Sequence, residues 1–346
     1  MSNVYRFKIS KRMPKSGTHF SDSNARPDKT PEKHSNLKRL GCVLGTALAL
    51  MLTATGAAAE TVSLDTLTKR QFISTANARC QWFDGPTTLA LKAGLLQNRN
   101  AALNHGVAPA TVYGALDRAR TAAWRAECNN PALVKEVETM RGAYRGFVAQ
   151  NRLSLPGLRS EWLADRTEQN LSKWRLVQYQ QTGNVSMAFG LYGTLKGQNL
   201  SVMAQFNGEQ PYAARLIVRD PKTRATGFIN REALAVSAQM PKGLSRYDLS
   251  FAASNRRETQ IALKNTPRVN LAGFTVDGKF AGHAEKRDTL RFDFPMNATV
   301  AIGKLDPRED VVVAFEFNNG TQYARFEAGD FVPGLVFATL PSPYGQ

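Results

Sequence analysis

The hydrophobic period of this 346-residue chain changes once, and that change limits the fold more than any motif does. Up to about residue 152, apolar residues recur every three or four positions. From Trp174 onward they sit in short glycine-bounded runs rich in β-branched and aromatic residues. The first period suits one face of a helix and the second a strand. The fold class expected is therefore α+β, an N-terminal helical bundle of about four helices followed by an antiparallel β-sandwich-like domain.

Punctuation residues set the helix boundaries. Ser63 or Asp65 is placed to cap a first helix ending near Cys80, and Asp84-Gly85-Pro86 breaks it. Thr87 or Thr88 opens a second, which stops at His105-Gly106. Pro109 suits the first turn of a third helix, and Asn130-Pro131 starts a fourth that Leu153-Ser154-Leu155-Pro156-Gly157 ends. Short loops make consecutive helices antiparallel, so the first and third run the same way. Their C-terminal ends carry Cys80 and Cys128, and topology thus predicts one disulfide between them. Trp82 and Trp124 flank the two cysteines and are expected to pack over the bridge.

Strands are expected at 174–181, 185–192, 200–206, 213–218, 247–252, 258–263, 269–276, 279–284, 290–294, 311–317 and 321–327. Asn319-Gly320 is the strongest hairpin signal, and pairs Phe317 with Gln322 along one apolar face. Glu316, Tyr323, Arg325 and Glu327 fall on the other face. Asp277-Gly278 is a weaker hairpin signal, and Asn297–Lys304 reads as a short helix.

Ahead of all this stands a targeting pattern. Lys38-Arg39 precedes an uncharged apolar run, Leu40 to Leu52, and a small-residue tail ending Ala57-Ala58-Ala59. That order reads as a secretory signal cleaved between Ala59 and Glu60. The strongly apolar part is short for a membrane span, which needs about 20 apolar residues. An uncleaved signal is the alternative, and would make the chain a membrane-anchored accessory subunit. Residues 1–36 hold many Lys, Arg, Ser, Asn and Pro and too little apolar surface to fold, so they read as a disordered basic leader or a mis-assigned start. The domains expected are that leader, a signal over 37–59, a disulfide-tied helical domain over 60–156, a linker over 157–172, a β domain over 173–340 and a frayed terminus over 341–346.

Removing residues 1–59 takes 10 bases and 3 acids from the chain's 45 and 28, leaving 35 and 25, a net charge of +10. A periplasmic or secreted protein with such a charge favours anionic envelope lipid or glycan, or another envelope protein, as partner. Nucleic acid is not expected outside the cytoplasm, and a membrane is expected only with an uncleaved signal.

Chemistry is sparse. The two histidines beyond the signal, His105 and His283, stand in no metal-ligand spacing, and no G-x-S-x-G or phosphate-cradling glycine loop occurs. No catalytic residue, metal or cofactor is expected. Asp288, Asp293, Asp306, Glu309, Asp310 and Asp330 keep open an envelope glycan hydrolase, which needs only two carboxyls about 5–9.5 Å apart. The positive lead is a candidate anion-binding patch of Arg118, Arg125, Arg141, Arg145 and Arg152. The function expected is thus a non-enzymatic binding or structural module with a basic surface.

Overall fold

A computed structural model of the chain describes residues 64–182, 185–206, 208–224, 236–240, 245–259, 263 and 289–340. Four helices come first: α1 (Leu64–Cys80), α2 (Gly85–Asn104), α3 (Pro109–Arg125) and α4 (Pro131–Ala149). The sequence signals act as caps. Asp84 accepts from the Thr87 N–H at 2.8 Å, Asn130 accepts from Ala132 and Leu133, and a proline stands in the first turn of α2, α3 and α4.

The central pair is α1 and α2. Leu67, Ala102, Leu103, Val112 and Leu116 form one cluster among α1, α2 and α3. Ile73, Leu91, Val137, Met140 and Tyr144 form a second among α1, α2 and α4. Cys80 and Cys128 lie at disulfide distance with Cα atoms 5.6 Å apart, within the range a bridge needs. Trp82 packs beside the second cluster, and Trp124 is 59 % exposed. It stands on the outward side of α3, whose buried side is the run Val112, Ala115, Leu116, Ala119 and Ala123.

The strands make two antiparallel sheets. The first, of seven strands, is ordered β1 (Arg152–Pro156), β2 (Glu161–Asp165), β3 (Lys173–Thr182), β4 (Val185–Gly193), β5 (Gln198–Gln205), β9 (Thr289–Phe294), β8 (Asn255–Thr259). The second, of four, is ordered β11 (Gly320–Glu327), β10 (Asp310–Phe317), β6 (Ala213–Val218), β7 (Leu249–Ala252). Helices α5 (Asn297–Ile302) and α6 (Phe331–Thr339) complete the described elements. One apolar core, including Trp162, Phe189, Phe292, Phe315, Phe326 and Phe337, is shared by both sheets and α6.

Three expectations need correcting. First, β1 and β2 occupy the stretch expected as a helix end and a linker. They form because Leu155, Trp162 and Ala164 are buried, with Trp162 edge-on to Phe189 and Phe331. Second, the β10–β11 hairpin turns on Asn318-Asn319, so Phe317 pairs with Gly320 and Phe315 with Gln322. A shift of two in partner number leaves every side chain on its expected face, so apolar alternation does not separate the two registers. Third, Glu327 is 3 % exposed, not on an open face.

No helix was expected at α6. It is apolar nearly all round and carries Pro333-Gly334, which reads as a breaker. Gly334 is what lets the helix sit down on the sheet, because a Cβ there would fall on the Leu176 side chain. Of the remaining expectations, β7 and β8 fall within or near their expected runs. Strands 269–276 and 279–284, the Asp277-Gly278 turn, the signal with Ala59 and Glu60, and residues 341–346 lie outside the described residues.

Two arginines, Arg166 and Arg175, are wholly buried and donate to backbone carbonyls. Arg175 donates to the carbonyls of Gly193, Thr167, Glu168, Gln169 and Leu171, and so ties down the loop before β3. Arg166 donates to Val148 O and Gln150 O at the C-terminal end of α4, and its guanidinium lies 4.6 Å from the centre of the Phe337 ring. It thereby caps one helix and stacks on another.

Candidate functional site

Two kinds of charged surface compete as the site. The first is a buried carboxylate cluster. Pairing of β10 with β11 sets Asp310 directly opposite Glu327, an arrangement that repels unless a cation joins it. Arg159, from the turn between β1 and β2, is that cation. Its Nε lies 3.0 Å from Glu327 Oε1 and another of its nitrogens bonds Asp310. Backbone N–H groups of Arg159 and Ser160 also donate to the Glu327 carboxylate, at 2.9 and 3.2 Å. Gly157 permits the tight turn, since a Cβ on it would fall on the Ser160 carbonyl and on Glu327.

Around this centre the acids are similarly engaged. Arg219 holds Glu309 through two bonds of 2.8 and 2.6 Å, both partners being buried. Arg308 holds Asp306, keeping it below the usual carboxylate range against the opposing effect of burial. Asn100 of α2 donates to Asp330 Oδ1 at 2.6 Å. Burial pushes Asp330 up to about 7, with the Asn100 bond and Arg99 pulling the other way. Burial likewise pushes Asp310 up to about 6, only partly offset by Arg159.

A cleft of about 660 Å³ opens beside the cluster, between the α2–α3 turn and Leu158, Arg159 and Arg308. None of these acids lines it. His105 stands at its edge, with Nδ1 2.8 Å from Ala101 O at the end of α2, the helix-terminal position expected for it. Asp293 accepts from Ser201 Oγ at 2.5 Å and Arg291 Nε at 2.6 Å, within the first sheet. His283 and Asp288 lie outside the described residues.

The second surface is that of the arginines. The five that the sequence groups lie on three elements, Arg118 and Arg125 on α3, Arg141 and Arg145 on α4, and Arg152 on β1. Arg141 bonds Glu138 at 2.6 Å and the Trp82 carbonyl at 2.6 Å, and lies over the Phe83 ring. Arg145, exposed on α4, shares with Arg141 an attraction to Asp84. Arg152, on β1, pairs with Asp165 at 3.0 Å. Arg118 and Arg125 stand on α3, which packs on α1 while α4 packs on α2. Both are exposed, and among the described residues neither makes an ion pair or a side-chain hydrogen bond.

Arg159, Arg219, Asn100 and Gln178, whose Oε1 accepts from the Glu327 N–H at 2.8 Å, are members of the buried cluster that sequence reading missed. Each lies far along the chain from its partner, and no local pattern announces such a contact. Among the described residues no group of three His, Cys, Asp or Glu is placed to hold a metal, and no helix is long and apolar enough to cross a membrane. Compared with known families, curated proteins and solved structures, the chain matches none of them.

Proposed function

We propose that this chain is an exported cell-envelope protein that binds an anionic component of the envelope and catalyses nothing. In this reading a disulfide-tied helical bundle presents the binding surface and a β-sandwich-like region, with its buried ion pairs, stabilises it. The carrying observation is how the charges divide. Asp306, Glu309, Asp310, Glu327 and Asp330 are each engaged by an arginine or by Asn100, while Arg118, Arg125 and Arg145 are exposed on helices. A glycan hydrolase needs a carboxyl that substrate can reach, and Asp310 and Asp330 are each only 4 % exposed. The cysteine pair at disulfide distance supports an oxidising compartment.

Fractionation with amino-terminal sequencing tests the export claim, and recovery outside the cytoplasm beginning at Glu60 is the expected result. Pull-down on anionic envelope lipid and on acidic glycan, at low and physiological salt, tests the binding claim. Binding should weaken with salt, because exposed charges are screened over about 8–10 Å. Salt-independent binding, or glycan turnover that Asp310→Asn or Asp330→Asn abolishes, would overturn it and promote the hydrolase.

A further inference from the structure

The outward face of α3 combines aromatic side chains with arginine in a way the fold does not use. Tyr113, Asp117, Arg120 and Trp124 recur at spacings of four, three and four, which on a helix is one stripe about 16 Å long. Tyr113 is 42 % and Trp124 59 % exposed, although the same helix buries five apolar residues on its other side. Arg118 and Arg125, seven residues apart, run parallel to the stripe. The only acid there, Asp117, is bonded to Arg120 at 2.6 Å, so the face remains cationic.

The helix is also held firmly at one end. Arg79 of α1 donates to the Trp124 carbonyl at 3.0 Å and to the carbonyls of Ala123 and Ala126, closing the α3 C-terminus. Cys80 and Cys128 fix the same corner.

Resting on the binding role proposed above, we infer that this α3 face docks peripherally on an anionic bilayer. Tyr113 and Trp124 insert at headgroup level, and Arg118 and Arg125 meet lipid phosphates. Tyrosine and tryptophan carry an apolar body and a polar tip suited to that depth, and arginine matches phosphate with two parallel bonds. The face is a convex helix surface. The groove that α3 borders, lined by Phe72, Ile73, Ala119 and Leu133, lies on its buried side, away from the stripe. A flat, charged partner fits such a face better than an extended glycan, which needs a groove.

The test uses the protein as cells produce it, with vesicles of phosphatidylglycerol in phosphatidylcholine and with phosphatidylcholine alone. Brominated lipid should quench Trp124 in the anionic vesicles only, and Trp124→Phe should remove that quenching. Arg118→Gln with Arg125→Gln should weaken binding by about fivefold per arginine. Tyr113→Ala with Trp124→Ala should weaken it at least tenfold, with an unchanged melting temperature showing that the fold survives. Unquenched Trp124, or equal binding to neutral vesicles, overturns the inference. If binding remains salt-sensitive but none of these variants changes it, the docking face is wrong while the binding role stands. If no anionic envelope component binds at all, the proposed function itself falls.

Discussion

Replacing Asp330 by Asn should stabilise the protein above neutral pH and leave it unchanged in acid. Asp330 stands at the start of α6, 4 % exposed, with Asn100 as the donor to its carboxyl and no side-chain bond to the helix it precedes. Its carboxyl titrates near 3.8 when unfolded and is pushed up to about 7 by burial when folded. Between those values the folded protein keeps a proton that the unfolded chain has released. Stability therefore falls as pH rises from about 4 to about 7, and is flat beyond. A shift of about 3 units at 1.36 kcal/mol per unit makes the penalty roughly 4 kcal/mol at pH 8.

An asparagine keeps the oxygen that Asn100 addresses and carries no charge at any pH. The variant should therefore gain about 2–4 kcal/mol at pH 8, with the gain shrinking to nothing by pH 4. Urea unfolding of both proteins at pH 4, 6 and 8, with the disulfide intact, reads this directly. Subtracting one profile from the other removes the other carboxylates. Those include Asp84, Asp165 and Asp306, whose lowered values remove stability as pH falls, the opposite sense. A variant less stable than the parent at pH 8 would refute the reasoning. It would mean that Asp330 is ionised and held by Arg99 and the α6 N-terminus, with those attractions outweighing burial.

Three further outcomes are expected. Cys80→Ser with Cys128→Ser opens a loop of sequence separation 48 and should cost about 4 kcal/mol by the chain-entropy relation, read as a lower urea midpoint; thiols that alkylate in the native protein would show that no bridge exists. Arg166→Met removes the donor to Val148 O and Gln150 O, and should cost about 2–4 kcal/mol and speed amide exchange at the α4 end. Gly157→Ala drives a methyl into Ser160 and Glu327, and should cost about 1–3 kcal/mol with a separate loosening of Arg159 visible in its side-chain NMR signal.

The helices were legible because their signals are local. Asp84, Asn130 and the prolines at 86, 109 and 131 act within one turn of themselves, and they cap or open the helices they announce. The cysteine pairing was legible for a related reason, since short loops turn sequence order into antiparallel order. Strands followed where apolar, β-branched and aromatic residues form a continuous run, as in β4, β5 and β10. The failures have a common cause. The strands β1 and β2 carry only five residues each, and α6 is apolar all round, so none of them shows a period long enough to read. Their existence depends on Trp162, Phe331 and Phe337 finding each other across long stretches of chain.

Charge shows the same division between local and distant causes. A charged residue on a helical stripe can be assigned to the solvent side from its neighbours, and Arg118, Arg125 and Arg145 are indeed exposed. What neighbours do not reveal is which exposed arginines are spoken for. Arg141 is taken by Glu138 and a carbonyl of the α1–α2 turn, and Arg152 by a residue of the next strand. Around the sheets the arginines divide: Arg152, Arg215, Arg256 and Arg257 are exposed on strands, while Arg159, Arg166, Arg175 and Arg219 go inside. Burying a guanidinium is costly unless its donors are met, and here two find carboxylates and two find rows of carbonyls. The arginine excess that the sequence reads as one basic surface thus has two physical uses. The buried ones hold the strand ends and turns together. Others, such as Arg118 and Arg125 on α3, are exposed beside an acid, Asp117, that is already paired with Arg120.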